Sequence, residues 1–127
     1  MSKFNKGYVD KAGVLYIGTF IILVLVILGL IILNIAGLFN QNYYTVTVTD
    51  KGIKRSGGSD RYLIYTTLEN GNIETFENTD NFFYGKFNSS NIYADLIVGG
   101  KYKIKVIGFR IPFLSRYQNI IEYEKIE

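Results

Sequence analysis

The chain has 127 residues, with 14 Lys and Arg against 11 Asp and Glu, and it contains neither His nor Cys. Without His there is no Ser–His pair, no common zinc set and no usual general base; without Cys there is no disulfide and no thiolate nucleophile. Nearly half of the residues are hydrophobic (48%), and their uneven distribution sets the plan of the chain.

The first segment, residues 1–13, is a basic tail carrying Lys3, Lys6 and Lys11 against Asp10. Residues 14–39 follow as VLYIGTFIILVLVILGLIILNIAGLF, inside a stretch free of charge from Ala12 to Thr49. At ~1.5 Å per residue this is roughly 39 Å of helix, against a hydrocarbon core of about 30 Å. A soluble core helix of this length needs partner surface on every side, and the rest of the chain is too short to supply it. The segment therefore predicts one transmembrane helix in contact with the lipid bilayer. A cleavable signal peptide has an apolar region of only about 7–15 residues, and Asn34 stands where a cut after Ala36 wants a small residue. The expectation is an uncleaved signal anchor. Basic residues lie close to the helix on the tail side, whereas Lys51 is the first on the other. This places the N-terminus in the cytoplasm and the C-terminal domain outside it. Gly18, Gly29, Ala36 and Gly37 allow close helix contact without GxxxG spacing, leaving homo-oligomerisation open. Thr19 can return its hydroxyl to the preceding turn, and Asn34 lies near the outer interface.

Residues 40–127 form one small domain, nearly neutral, with period-two patterning throughout. Tyr44, Val46 and Val48 alternate with Thr45, Thr47 and Thr49. Asp50 to Asp60 reads as a mobile polar connection containing Gly52, Gly57 and Gly58. Arg61 to Leu68 is a second strand, with Leu63 and Tyr65 on one face and Tyr62, Ile64 and Thr66 on the other. Asn70-Gly71 predicts a type I′ hairpin into Ile73 to Phe76. An irregular stretch with Phe82, Phe83, Tyr84 and Phe87 leads to a short helix, Asn91 to Leu96, capped by Ser89 or Ser90 and ended by Gly99-Gly100. Lys101, Lys103 and Lys105 alternate with Tyr102, Ile104 and Val106, one face in water and one buried. After Gly108 and Pro112 comes a last strand, Ile120 to Ile126, with Ile121, Tyr123 and Lys125 on one face. The sum is an all-β, membrane-anchored chain: one N-terminal transmembrane helix followed by a small five-stranded barrel of OB-like or SH3-like type.

No catalytic residue type is clustered, no phosphate loop or EF-hand pattern occurs, and neither a metal nor a cofactor is expected. Glu77, Asp80 and Asp95 read as turn or cap residues, so the chain is not expected to be an enzyme. The Lys101 to Lys105 strand invites a single-stranded nucleic-acid reading. Its lysines and its aromatic face opposite ways, however, so no nucleic acid is expected as partner. The candidate interaction surface is Arg110, Arg116 and Tyr117, with arginines free to meet a carboxylate or phosphate. A structural reading competes with it. In that reading Phe113, Leu114 and Tyr117 plug the barrel end while Arg110 pairs with a nearby carboxylate.

The run GFRIPFLSRYQNII from Gly108 to Ile121, with YTVTVTDK at Tyr44 to Lys51, FENTD at Phe76 to Asp80 and GKFNSS at Gly85 to Ser90, resembles small single-pass membrane proteins. Those proteins are encoded by tailed phages and prophages and have no assigned function. The resemblance implies a phage origin and an anchor-plus-barrel plan, and it brings no functional residues. The anchor, the absence of catalytic residue types and the aromatic-rich small domain make the expected role an interaction module at the host envelope, as in superinfection exclusion, with an envelope or membrane protein as partner. The alternatives are a holin-like or antiholin-like lysis component and a nucleic-acid-binding small barrel.

Overall fold

The computed structural model describes residues 10–56 and 59–126. It has two compact units, residues 1–33 and 34–127. The first helix, α1, runs Lys11–Phe39 and is long and apolar enough to cross a membrane. It starts three residues before the expected span, where Asp10 Oδ1 accepts from Ala12 N at 3.2 Å. From Lys11 to Leu33 no side chain is buried. Thr19 Oγ1 donates to Leu15 O at 2.8 Å, so this hydroxyl is satisfied within its own helix.

The second unit is a barrel. Its strands are β1 (Gln41–Ser56), β2 (Ser59–Leu68), β3 (Ile73–Asn78), β4 (Lys101–Ile107) and β5 (Asn119–Lys125), and helix α2 (Ser89–Asp95) lies between β3 and β4. They close in the order β1-β2-β3-β5-β4, with β4 back on β1. Every neighbour is antiparallel except β3 and β5, which meet in parallel at Glu77 and Asn119 alone. A five-stranded Greek-key barrel with this order, only just closed at one seam, is the OB arrangement. The core alternates as the period-two pattern requires: Val46, Val48, Ile64, Phe76, Tyr102, Ile104, Val106 and Ile120 point inward, joined by Ile92 and Leu96 from the α2 region.

Three expectations about strands and their turns are corrected. Asp50 to Ser56 is not a loose connection but the second half of β1, paired with β2 from Asp50↔Tyr65 to Ser56↔Ser59; Gly57 and Gly58 lie outside the described residues. Polar composition misled there because a bulge between Val48 and Asp50 shifts the register, breaking the alternation while the backbone ladder continues. The Asn70-Gly71 turn is not type I′. Gly71 is left-handed (φ 88°) but Asn70 is not, and Gly71 N donates to Leu68 O at 2.9 Å, a three-residue step followed by a bulge. In β5 a second bulge, opposite the Lys105/Val106 step, lets Ile120 and Ile121 both be buried, so the expected strict alternation breaks at Ile121.

The end of the barrel at the finish of β2 and the start of β4 is closed by Tyr102. Its hydroxyl accepts from Ile97 N at 2.9 Å and donates to Asp95 O at 3.2 Å, and its ring meets Tyr123 edge-on at 6.2 Å. Gly100 is required beside it, since a Cβ there would stand 2.7 Å from the Tyr102 ring. Helix α2 follows Asn88, which makes no side-chain cap bond; neither Ser89 nor Ser90 is the cap. Instead Asp80 Oδ1 accepts from Ser89 N at 3.1 Å across the preceding loop. Hydrogen bonds from the Ser89 hydroxyl and amide hold the Asp80 carboxyl below its ordinary value.

Candidate functional site

At the opposite end of the barrel the chain arrives from α1, and the starts of β1, β2 and β5 meet the ends of β3 and β4. Only Asn40 separates the last residue of α1 from the first of β1. Gly108 N donates to both Gly37 O (3.0 Å) and Asn40 O (3.2 Å), and Asn40 Nδ2 donates back to Gly108 O at 2.7 Å. Gly37 is the buried residue of α1, and a Cβ on it would stand 3.3 Å from the Gly108 Cα. Gly108 itself has φ 97°, which an L side chain resists. Of the small residues in α1, Gly37 therefore serves a helix–barrel contact.

The β4–β5 loop places all three sequence-predicted residues together. Tyr117 is the centre: the Arg110 guanidinium lies 4.3 Å from its ring centroid and that of Arg61 lies 5.9 Å away. Arg110 Nη1 donates to Arg116 O at 2.8 Å, and Arg116 Nη2 donates to Asn34 Oδ1 at 2.9 Å. The expectation that Arg110 pairs with a carboxylate is corrected: it has no carboxylate partner among the described residues, since Glu77 is taken by Arg61, which also donates to Ser115 O at 3.0 Å, and Asp80 accepts from Ser89 N. The expected plug is corrected too. Phe113 is 86% exposed and Leu114 half exposed, on a short 3-10 turn (Pro112–Leu114) that lifts them off the barrel, and only Tyr117 is half-buried. The sealing groups are polar: Gln118 Nε2 donates to Gly108 O at 3.2 Å and its Oε1 accepts from the Tyr44 hydroxyl at 3.3 Å.

A second feature at this end escaped the sequence reading. The loop after β3 forms a small hairpin, with Asn81 and Lys86 exchanging backbone hydrogen bonds at 2.9 Å each way and Gly85 left-handed at φ 79°. Its base is fixed by Lys86, only 4% exposed, whose ammonium donates to Asn78 Oδ1 (2.7 Å), Asn119 Oδ1 (3.1 Å) and Ile120 O (2.5 Å). Burial pushes this ammonium down to about 8, against the pull of Asp80 and Glu77. The hairpin so fixed displays Phe82, Phe83 and Phe87, each at least two-thirds exposed. Phe82 meets Phe83 edge-on at 5.9 Å and Phe87 at 6.4 Å. No sequence signal finds Lys86, because two of its three acceptors, Asn119 and Ile120, come from a strand more than 30 residues away.

The outer face of β4 and β5 carries a balanced ladder. Lys103 stands opposite Glu124 and Lys105 opposite Glu122, while Tyr102 is buried. On the same face the Lys103 and Lys105 ammonium groups lie 5.6 and 5.9 Å from the ring centroid of exposed Tyr43, so the expectation that lysines and aromatics face opposite ways does not hold for Tyr43. Among the described residues no group of three acidic side chains is placed to hold a metal ion.

The chain matches no family model and no curated protein. Among solved structures it is similar to a mutant of the Salmonella typhi PltB homopentamer, at 13% identity and TM-score 0.46, over 68% of this chain and 86% of that one. This is a likeness of fold only, and the OB assignment rests on the strand order itself.

Proposed function

We propose that this chain is a phage-encoded single-pass membrane protein, anchored by α1 as an uncleaved signal anchor with its N-terminus in the cytoplasm. Its OB barrel is an interaction module on the outer side, binding an envelope or membrane protein of the host, as superinfection exclusion requires. The observation that carries this reading is the hairpin with Phe82, Phe83 and Phe87. Three exposed phenylalanines, with Phe82 in edge contact with both Phe83 and Phe87, are an apolar patch of the kind that marks an interaction site, and the buried Lys86 at the base of the hairpin fixes their placement before any partner arrives. The phage origin comes from the sequence resemblance, which carries no activity; the role at the envelope rests on the anchor, the lack of catalytic residue types and the aromatic-rich small domain.

The test is expression in a susceptible host, scoring phage entry and membrane potential for the parent chain and for F82S/F87S. Blocked entry with normal potential, relieved by the double substitution at equal protein level, is the expected result. Rapid loss of potential on expression points instead to a lysis component. Full exclusion by F82S/F87S sinks the assignment of the patch.

A further inference from the structure

The end of the barrel beside α1 exposes apolar side chains that the core does not use: Phe113 at 86%, Phe39 at 81% and Leu114 at 50%. The loop that carries two of them is well formed. Ile111 and Arg116 exchange backbone hydrogen bonds (2.9 and 3.0 Å), Ser115 N donates to Pro112 O at 3.0 Å, and Ser115 turns the chain in the left-handed region at φ 50°. Arg61 holds the loop from the barrel side through Ser115 O.

What covers this tip follows from how the loop is tied to α1. Its first residue, Gly108, is hydrogen-bonded to Gly37 and Asn40, and its later residue Arg116 reaches Asn34. Asn34 lies five residues before the end of the helix, or roughly 7.5 Å back along the axis at ~1.5 Å per residue. The loop therefore runs alongside the last turns of the helix rather than standing clear of them. With a single residue between helix and barrel, no linker exists to lift this loop away from the surface where α1 leaves the hydrocarbon. A rim of Phe and Leu with Arg and Tyr at its base has the composition of a bilayer interface: aromatic and aliphatic groups enter the acyl boundary while guanidinium groups meet phosphates. Arg110 is exposed and carries no carboxylate partner among the described residues, which leaves its remaining donors open to an anionic headgroup.

We propose that Phe113, Leu114 and Phe39 insert into the headgroup–acyl boundary of the leaflet from which α1 emerges, with Arg110 and Arg116 on lipid phosphates. The barrel is thereby seated on the bilayer by a second, peripheral contact. This inference rests on the reading of α1 as a transmembrane anchor, and it leaves the Phe82, Phe83 and Phe87 patch for the protein partner.

The chain has neither Trp nor Cys, so single reporters are clean. The full chain is reconstituted in vesicles of phosphatidylcholine and phosphatidylglycerol with brominated acyl chains, as three single-tryptophan variants: L25W in α1, F113W at the rim and N70W in the turn at the far end of the barrel. Expected is loss of most emission to brominated lipid for L25W and F113W, with protection from acrylamide, and the reverse for N70W. L114C carrying a nitroxide supplies a reporter that does not itself favour the interface, and it carries the same test where F113W does not fold. It should be more accessible to oxygen than to a water-soluble nickel chelate. If L25W is quenched by lipid while the rim reporters are as open to water as N70W, the docking is wrong and the anchor stands. If L25W is not quenched by lipid, the anchor reading fails and the docking with it.

Discussion

The two ends of the barrel are closed by opposite means. At the far end an aromatic residue fills the opening: Tyr102 is 1% exposed, its hydroxyl is satisfied by backbone groups, and Tyr123 meets its ring edge-on. At the end next to α1 the closure is polar, made by Lys86, Asn78, Asn119, Gln118 and the Arg61–Glu77 pair, while Phe113 and Leu114 stay outside. The difference shows that apolar residues in a small domain are not automatically core. Here the polar groups close the barrel and the apolar ones are left over for contacts beyond it.

Three measurements break or sharpen this contrast, each on the full chain in detergent or nanodiscs, with unfolding followed by near-ultraviolet circular dichroism. The largest effect is expected at the aromatic end. Tyr102→Ala removes a fully buried ring and should cost about 3–5 kcal/mol, whereas Tyr102→Phe strands the Ile97 amide and should cost about 1–2 kcal/mol. Equal losses for the two variants would show that the ring is not the closure.

The polar end should announce itself in pH. The Lys86 ammonium is held down to about 8 in the fold, against an ordinary 10.5 in the unfolded chain. Below pH 8 the fold bears the full cost of the buried charge. Between 8 and 10.5 the folded chain has released a proton that the unfolded chain keeps, so stability rises with pH, by up to roughly 3 kcal/mol at 1.36 kcal/mol per pKa unit. Tyrosines titrate at the top of this window, so the readout is the difference between the parent chain and Lys86→Met. A parent slope no steeper than that of the variant would show that burial costs Lys86 nothing.

The smallest effect is expected at Arg110. Exposed, stacked on Tyr117 and bonded to one carbonyl, it should contribute no more than about 1 kcal/mol, so Arg110→Ala should barely move Tm. A drop of many degrees would make Arg110 part of the closure and remove it from the exposed rim.

How much of this was legible depends on range. The alternation of Tyr102, Ile104 and Val106 with lysines placed β4 and its two faces, because a half-buried strand imposes period two on neighbouring residues. Arg110, Arg116 and Tyr117 were legible as a group for the same reason, lying within eight positions of one another. Their partners were not: Asn34 is 82 residues from Arg116, and Ser115 O is claimed by Arg61 from 54 residues away. The exposure of Phe113 was also illegible, since an apolar run looks the same whether it plugs a barrel or leans away from it.

By itself the amino-acid sequence determined that an unbroken apolar helix precedes a small β domain, since helix length and strand alternation are properties of contiguous residues. That Asn40 alone separates the helix from the barrel was decided by β1, which takes in Gln41 and Asn42. Only the tertiary structure decided that the barrel has OB order, that a lysine is its buried rivet and that Gly37 faces Gly108. Those outcomes depend on bulges that shift the register, and on acceptors brought together from strands far apart in the chain.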